Sequence, residues 1–147
     1  MLLAIEIGGT KLQLGVGTGE GGPLAELLRL HVDPSQGADG IRRQIAAAAP
    51  PLIAKHQVTK AGIGFGGPVD AAAGRTIKSH HVEGWTGFPL VPWCRDTLGL
   101  EAVLGNDSDL AGLGEARFGA GRAAKVCFYS NVGTGIGGSL VIGGRLY

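Results

Sequence analysis

The chain opens with an apolar run that two glycines interrupt. Residues 2–7 are mostly apolar, Gly8 and Gly9 follow, and residues 12–16 then alternate between the two faces of an extended chain. Two such runs joined by a Gly-Gly pair predict a β-hairpin, because glycine tolerates the backbone conformations that tight turns require. The fold must therefore accommodate a largely buried hairpin over residues 2–16.

The turn of this hairpin carries groups that suit phosphate. Gly8, Gly9 and Thr10 offer backbone N–H groups and a hydroxyl, and Lys11 adds an ammonium group. Groups of this kind bind phosphate oxygens, and Glu6 just upstream is an acid suited to the Mg²⁺ that accompanies nucleotide phosphates. An ordinary Gly-Gly hairpin with a surface lysine and an edge glutamate explains the same residues, so this stretch alone leaves both interpretations open.

Composition excludes several classes of protein. The 147 residues suffice for one domain with its own core, and a net charge of +1 gives no basic surface for nucleic acid. No apolar stretch reaches the roughly 18 residues of a membrane span, and no basic segment precedes the first apolar run. We therefore expect a cytoplasmic protein without a membrane or nucleic-acid partner. Cys94 and Cys127 lack disulfide or zinc spacing, which favours reduced thiols.

The remainder of the chain alternates between strand and helix patterns. Pro50 and Pro51 should kink or divide the first helix. The glycine spacing at Gly17, Gly19 and Gly22 also matches a dinucleotide-binding turn, but the apolar segment after it is too short for the required helix. Strands are expected over 24–32, 61–66, 102–104, 125–131 and 136–142, and helices over 38–56, 89–98 and 110–118.

Polar side chains cluster where the strand over 102–104 meets the next helix. Asn106, Asp107 and Asp109 lie at this junction, and open α/β sheets bind ligands at the carboxyl ends of their strands. The same residue types are also favoured helix caps. Because one cap needs only one of them, the cluster favours a chemical role.

Residues 126–142 repeat the opening design, a strand followed by a turn and a second strand. The turn contains Gly133, Thr134 and Gly135, so the chain resembles a pair of phosphate-binding hairpins. Between the hairpins lies a loop with His81, Trp85 and Phe88. That loop lines a pocket for a small polar ligand or only anchors itself to the core, and composition favours neither.

Taken together, these segments resemble the ROK family, the sugar kinases and repressors of the actin-like ATPase superfamily. Residues 5–11 look like its first phosphate motif, Asn106 and Asp107 with residues 111–115 like its catalytic motif, and residues 133–138 like its second phosphate motif. The match covers essentially the whole chain. The resemblance implies an α/β fold of the ribonuclease-H-like (actin-like ATPase) type, with a mixed five-stranded sheet, flanking helices and a terminal hairpin.

The resemblance also implies that a hexose hydroxyl receives the terminal phosphoryl group of ATP in the presence of Mg²⁺. Asp107 matches the general base, and Asn106 and Gly67 match sugar-contacting positions. His81 stands where members often carry a sugar-binding asparagine, and Glu6 stands where they usually carry aspartate, so it would hold Mg²⁺ through water. The two phosphate loops correspond to Gly8, Gly9, Thr10 and Lys11, and to Gly133, Thr134 and Gly135.

Family members are about twice as long as this chain. The resemblance therefore implies that residues 1–120 form the amino-terminal domain and that residues 121–147 begin a second domain. The remaining half would supply the adenine pocket, a zinc site and the surface of a possible homodimer, so we expect the isolated chain to be inactive. A non-catalytic or sugar-responsive regulatory domain remains an alternative. A polyphosphate-dependent sugar kinase is a further alternative, because relatives that use polyphosphate can carry aspartate at the position of Asp109.

Overall fold

A computed structural model describes residues 1–132 and 135–147, so Gly133 and Thr134 of the second predicted phosphate loop lie outside the described residues. The chain divides into two compact units, Met1–Gly105 and Asn106–Tyr147. The predicted division after residue 120 stays a prediction.

The first unit is built on a five-stranded sheet of β1 (Leu2–Ile7), β2 (Lys11–Gly17), β3 (Glu26–His31), β4 (Lys60–Phe65) and β7 (Glu101–Asn106). The order of the strands is β3-β2-β1-β4-β7. β1 pairs with β2, and β2 with β3, in antiparallel fashion, whereas β1 and β4 are parallel. The mixed sheet of the prediction is thereby confirmed. A separate small hairpin comprises β5 (Val69–Asp70) and β6 (Arg75–Thr76).

One face of this sheet forms the core with two helices, α1 (Gly37–His56) and α2 (Leu90–Leu98). Alternate residues of the first hairpin point into the core, as the period of two requires. α2 ends as predicted at Gly99, whose φ of 68° is left-handed and whose N–H bonds to Arg95 O. The innermost side chains include Leu3, Ile5, Ile7, Leu12, Leu14, Ile41, Ile45, Ile63 and Leu90.

Of the two outcomes predicted for the proline pair, division of the first helix was wrong, whereas a kink stays a prediction. α1 continues through Pro50 and Pro51 as one element of 20 residues. Each proline removes the hydrogen bond to the carbonyl four residues earlier. Both prolines are exposed, so water can satisfy the released carbonyls on this side of the helix, while Ala49 and Leu52 remain in the core.

The second unit consists of α3 (Asp107–Phe118) and a sheet of β8 (Val126–Val132), β9 (Ile136–Ile142) and β10 (Arg145–Leu146). β8 and β9 form the predicted terminal hairpin. Gly112 allows α3 to approach this hairpin closely, because a β-carbon there would overlap the Ser139 hydroxyl and lie 2.8 Å from Tyr129 Cβ. Of the helices described, none is long and apolar enough to cross a membrane.

Candidate functional site

Three turns of the first unit meet at the carboxyl end of β1. Gly66 N–H donates to Ile7 O over 2.8 Å, which places the turn after β4 beside the first hairpin. His81 lies against Gly9, since a β-carbon on that glycine would be 2.8 Å from His81 Cβ. Gly67 faces the backbone of Lys78, and a β-carbon there would be 2.7 Å from the Lys78 carbonyl oxygen. The structure thus places Gly9 against His81, and it places Gly67 against Lys78 in the segment that leads to His81. Sequence reasoning assigned Gly9 to a phosphate position and Gly67 and His81 to sugar positions.

The turn between β1 and β2 uses part of its backbone internally. Gly8 N–H donates to Lys11 O over 3.0 Å, and Thr10 O accepts from Val32 N–H over 3.1 Å. The N–H groups of Gly9 and Thr10 donate to no residue within 1–132 or 135–147. These two N–H groups, together with the Thr10 hydroxyl, are available for an anionic ligand.

Glu6 takes part in a row of polar side chains across three strands. Lys11 Nζ lies 3.3 Å from Glu6 Oε1, and Gln13 Nε2 donates to Glu6 Oε2. Arg29 Nε in turn donates to Gln13 Oε1 over 2.9 Å. The register explains the row, because Glu6 is directly opposite Gln13, and Gln13 is directly opposite Arg29. Sequence reasoning missed Gln13 and Arg29, although the pairing of the first three strands would have aligned them.

These residues fit only an indirect role for Glu6 toward Mg²⁺. The Glu6 side chain is 41% exposed and is already paired with Lys11. Residues 1–132 and 135–147 contain no cluster of three or more His, Cys, Asp or Glu side chains suited to a metal. Mg²⁺ commonly keeps several waters and binds one or two carboxylates together with substrate phosphates. A metal at this turn would therefore be held by Glu6 only through water.

The aromatic residues of the loop over 80–88 serve the core. Trp85 is 1% exposed, and its ring meets those of Phe65 and Phe88 edge-on, with centroids 5.3 and 5.5 Å away. The Arg42 guanidinium of α1 lies 4.2 Å from the Phe88 ring centroid. Of the two interpretations of this loop, anchoring to the core is the one observed for Trp85. His81 remains exposed at the turn that Trp85 anchors.

Asn106 and Asp107 form the entrance to α3. Asn106 Oδ1 caps the helix by accepting from Ser108 N–H at 3.0 Å and from Asp109 N–H at 3.2 Å. Asp107 Oδ1 accepts a further hydrogen bond from Ser108 N–H over 2.7 Å. Asp107 Oδ2 accepts none from any described residue. The capping role therefore falls to Asn106, and one oxygen of the Asp107 carboxylate is available to a substrate.

The start of α3 is tied to the β8–β9 hairpin by hydroxyl groups that sequence reasoning did not single out. Ser108 Oγ donates to Asn131 Oδ1 over 3.2 Å, and Ser139 Oγ donates to Ser108 O over 3.2 Å. Gly137 permits the contact, because a β-carbon there would overlap Ser108 Oγ. No local signal in the sequence marks this network. Gly135, the described residue of the second predicted phosphate loop, is exposed beside β9.

The sequence pattern of the ROK family matches residues 2–147. The chain is 30% identical over 147 residues to a glucokinase of Streptomyces coelicolor, covering 99% of this chain and 45% of that protein. A solved ROK family glucokinase from Streptomyces griseus, in complex with glucose and AMPPNP, superposes with a TM-score of 0.89. It is 33% identical, and the likeness covers 99% of this chain and 46% of that one.

A second solved structure is an inorganic polyphosphate/ATP-glucomannokinase from Arthrobacter sp. strain KM. It is 28% identical with a TM-score of 0.85, and the likeness covers 99% of this chain and 59% of that one. The chain spans about half the length of the curated relatives it matches. A family pattern that extends over nearly every residue, together with these folds, shows that the chain belongs to the ROK family.

Proposed function

We propose that this chain forms the amino-terminal half of a kinase that transfers the terminal phosphoryl group of ATP to a hydroxyl of a hexose. The proposal rests on the position of Asp107 at the start of α3. Its Oδ2 accepts no hydrogen bond from a described residue, while Asn106 caps the helix. An acid at a helix N-terminus is favoured in its ionised form, in which it can accept a proton. The likeness to a ROK glucokinase solved with glucose and AMPPNP supports the same reaction.

In this proposal each group has one task. Asp107 accepts the proton of the sugar hydroxyl as its oxygen attacks phosphorus, and Asn106 contacts the sugar. Gly67 and His81 contact the sugar as well, while the N–H groups of Gly9 and Thr10 donate to phosphate oxygens. Phosphoryl transfer depends mainly on positioning and on neutralising negative charge, which suits such a set of groups.

Charge neutralisation falls to further groups in this proposal. Lys11 would supply the positive charge of the first loop, and Glu6 would hold Mg²⁺ through water. The metal, when bound, neutralises charge on the phosphate oxygens. Gly133, Thr134 and Gly135 would form the second phosphate loop.

The test is sugar-dependent release of ADP from Mg²⁺ and ATP, measured with a panel of hexoses and N-acetylhexosamines. The 147-residue chain and the longest protein that its gene encodes are assayed side by side. We expect turnover with one sugar class in the longer protein, and none in the 147-residue chain. No sugar-dependent release from either protein would contradict the proposal for ATP.

A parallel arm replaces ATP with polyphosphate. The likeness to a polyphosphate/ATP-glucomannokinase is the specific observation that favours this second donor. If hexose phosphate forms only with polyphosphate, polyphosphate is the phosphoryl donor instead of ATP. The proposed roles of the residues would then be unchanged.

A further inference from the structure

The Ser108 hydroxyl lies between two acceptors at the start of α3. Its Oγ is 3.4 Å from Asp107 Oδ1 and 3.2 Å from Asn131 Oδ1. A serine hydroxyl carries a single proton. It can therefore donate fully to the Asp107 carboxylate or to the Asn131 amide oxygen, but not to both.

The surroundings hold this hydroxyl in place. Ser108 is 8% exposed, and its own carbonyl accepts a hydrogen bond from the buried Ser139 hydroxyl. The Ser108 hydroxyl also packs against Gly137 of β9, because a β-carbon on that glycine would overlap Ser108 Oγ. The hydroxyl is thus confined between α3 and the hairpin, whereas Asn131 is exposed near the end of β8.

We propose that Ser108 and Asn131 are positioning residues for Asp107, with the Ser108 hydroxyl donating its hydrogen bond either to the carboxylate or to the Asn131 oxygen. When the hydroxyl donates to Asn131, the Asp107 carboxylate lacks that hydrogen bond. When Asn131 moves away, the hydroxyl donates to Asp107 Oδ1 alone. The end of β8, which leads into the second predicted phosphate loop, thereby adjusts the group that the proposed function uses as general base. The inference rests on that proposed role of Asp107.

The helix α3 and the strands β8 and β10 carry the other ionisable groups of these elements. These groups are Asp109, Glu115 and Arg117 on α3, Cys127 and Tyr129 on β8, and Arg145 on β10, while β9 carries none. No hydrogen bond or ion pair joins Asp107 to any of them.

The test is the titration midpoint of the Asp107 carboxyl, followed by carbon-13 NMR in the 147-residue chain and assigned with Asp107→Asn. Ser108→Ala should raise the midpoint by about half a pH unit, because the carboxylate loses a donor. Asn131→Ala should lower it by a similar amount, because the hydroxyl then donates to Asp107 alone. The double variant should behave like Ser108→Ala.

Ser139→Ala is the matched control. It removes a hydrogen bond of the same network that ends on the Ser108 carbonyl, so it should lower the unfolding temperature without moving the midpoint. Because Asn131 is exposed, Asn131→Ala keeps the test decisive even if Ser108→Ala fails to fold. A midpoint that moves in the same direction in both single variants, or in neither, would overturn the inference.

The titration and the kinase assay fail independently. Opposite shifts without sugar-dependent turnover in any protein would support the positioning of Asp107 and contradict the proposed kinase. Turnover without opposite shifts would support the kinase and contradict the positioning role.

Discussion

Gly9 lies against His81, although the two residues are 72 positions apart in the sequence. A β-carbon on Gly9 would lie 2.8 Å from His81 Cβ and 3.1 Å from its Cγ. Gly9→Ala should therefore destabilise the chain by about 1–3 kcal/mol, a typical cost of overpacking. Urea unfolding measures the effect.

The second substitution in this pair identifies its cause. His81→Gly removes the clashing β-carbon and should recover part of the stability lost in Gly9→Ala. His81→Ala keeps that β-carbon and should recover little. Equal recovery in both double variants would show that the close approach of the turn and the loop does not limit residue 9.

The two glycines of α3 should respond to alanine in opposite directions. A β-carbon on Gly112 would overlap the Ser139 hydroxyl and lie 2.8 Å from Tyr129 Cβ, whereas one on Gly114 would meet nothing within 4 Å. We expect Gly112→Ala to lower the free energy of unfolding by about 1–3 kcal/mol. Gly114→Ala should raise it by about 0.5–1 kcal/mol, because alanine is the better helix former. Thermal unfolding followed by circular dichroism checks both, and a stabilising Gly112→Ala would contradict the observed packing of α3 on the hairpin.

Glu26 makes the stability of the first unit depend on pH. Hydrogen bonds from His56, at 2.6 Å, and from Lys55, at 2.8 Å, hold the pKa of Glu26 below its usual value of 4.5. A carboxyl whose pKa is lowered by folding stabilises the folded state above its unfolded pKa, and this contribution is lost as pH falls through the folded value.

The variant Glu26→Gln should therefore unfold at lower urea than the wild type near neutral pH. The difference should shrink as the pH falls below 4.5 and through the lower pKa of the folded state. The exposed Glu20→Gln provides the control for loss of one negative charge. A difference that stays constant from neutral to acidic pH would show that the pairing with His56 and Lys55 does not contribute.

The two cysteines should differ in reactivity. Both are free, as predicted, but Cys94 is fully buried and burial raises the pKa of its thiol to about 11. Because the thiolate is the reactive form, Cys94 should react with a thiol reagent at pH 8 at least about a hundredfold more slowly than Cys127, which is half-buried. Mass spectrometry after brief labelling should find one modified site in the folded chain and two in urea. Rapid labelling of Cys94 in the folded chain would contradict its place in the core.

Local signals account for what the sequence predicted well. The glycine pair and the alternation of apolar residues fixed the first hairpin, and Gly99 marked the end of α2 because the left-handed cap favours glycine. The strand β3 formed where a dinucleotide-binding unit would have needed a helix. In each case the signal lies within a few residues of the feature it predicts.

Features that depend on distant contacts could not be predicted in the same way. The row from Glu6 to Arg29 requires the register of three strands, and the contact of His81 with Gly9 requires the loop to be anchored through Trp85. The predicted division of α1 at Pro50 was wrong because the side of α1 that Pro50 occupies faces solvent, a property that tertiary packing decides.

Asp107 is the residue that we propose as the general base of sugar phosphorylation. The most direct test measures kcat for sugar-dependent ADP release by the longest protein that the gene encodes, with calorimetry of sugar binding beside it. Asp107→Asn should lower kcat by about 10²–10⁴ while the Kd for the sugar changes only a few-fold, and Asp109→Asn, the neighbouring control, should keep most of the activity. Unchanged kcat in Asp107→Asn would contradict the role of Asp107 as general base.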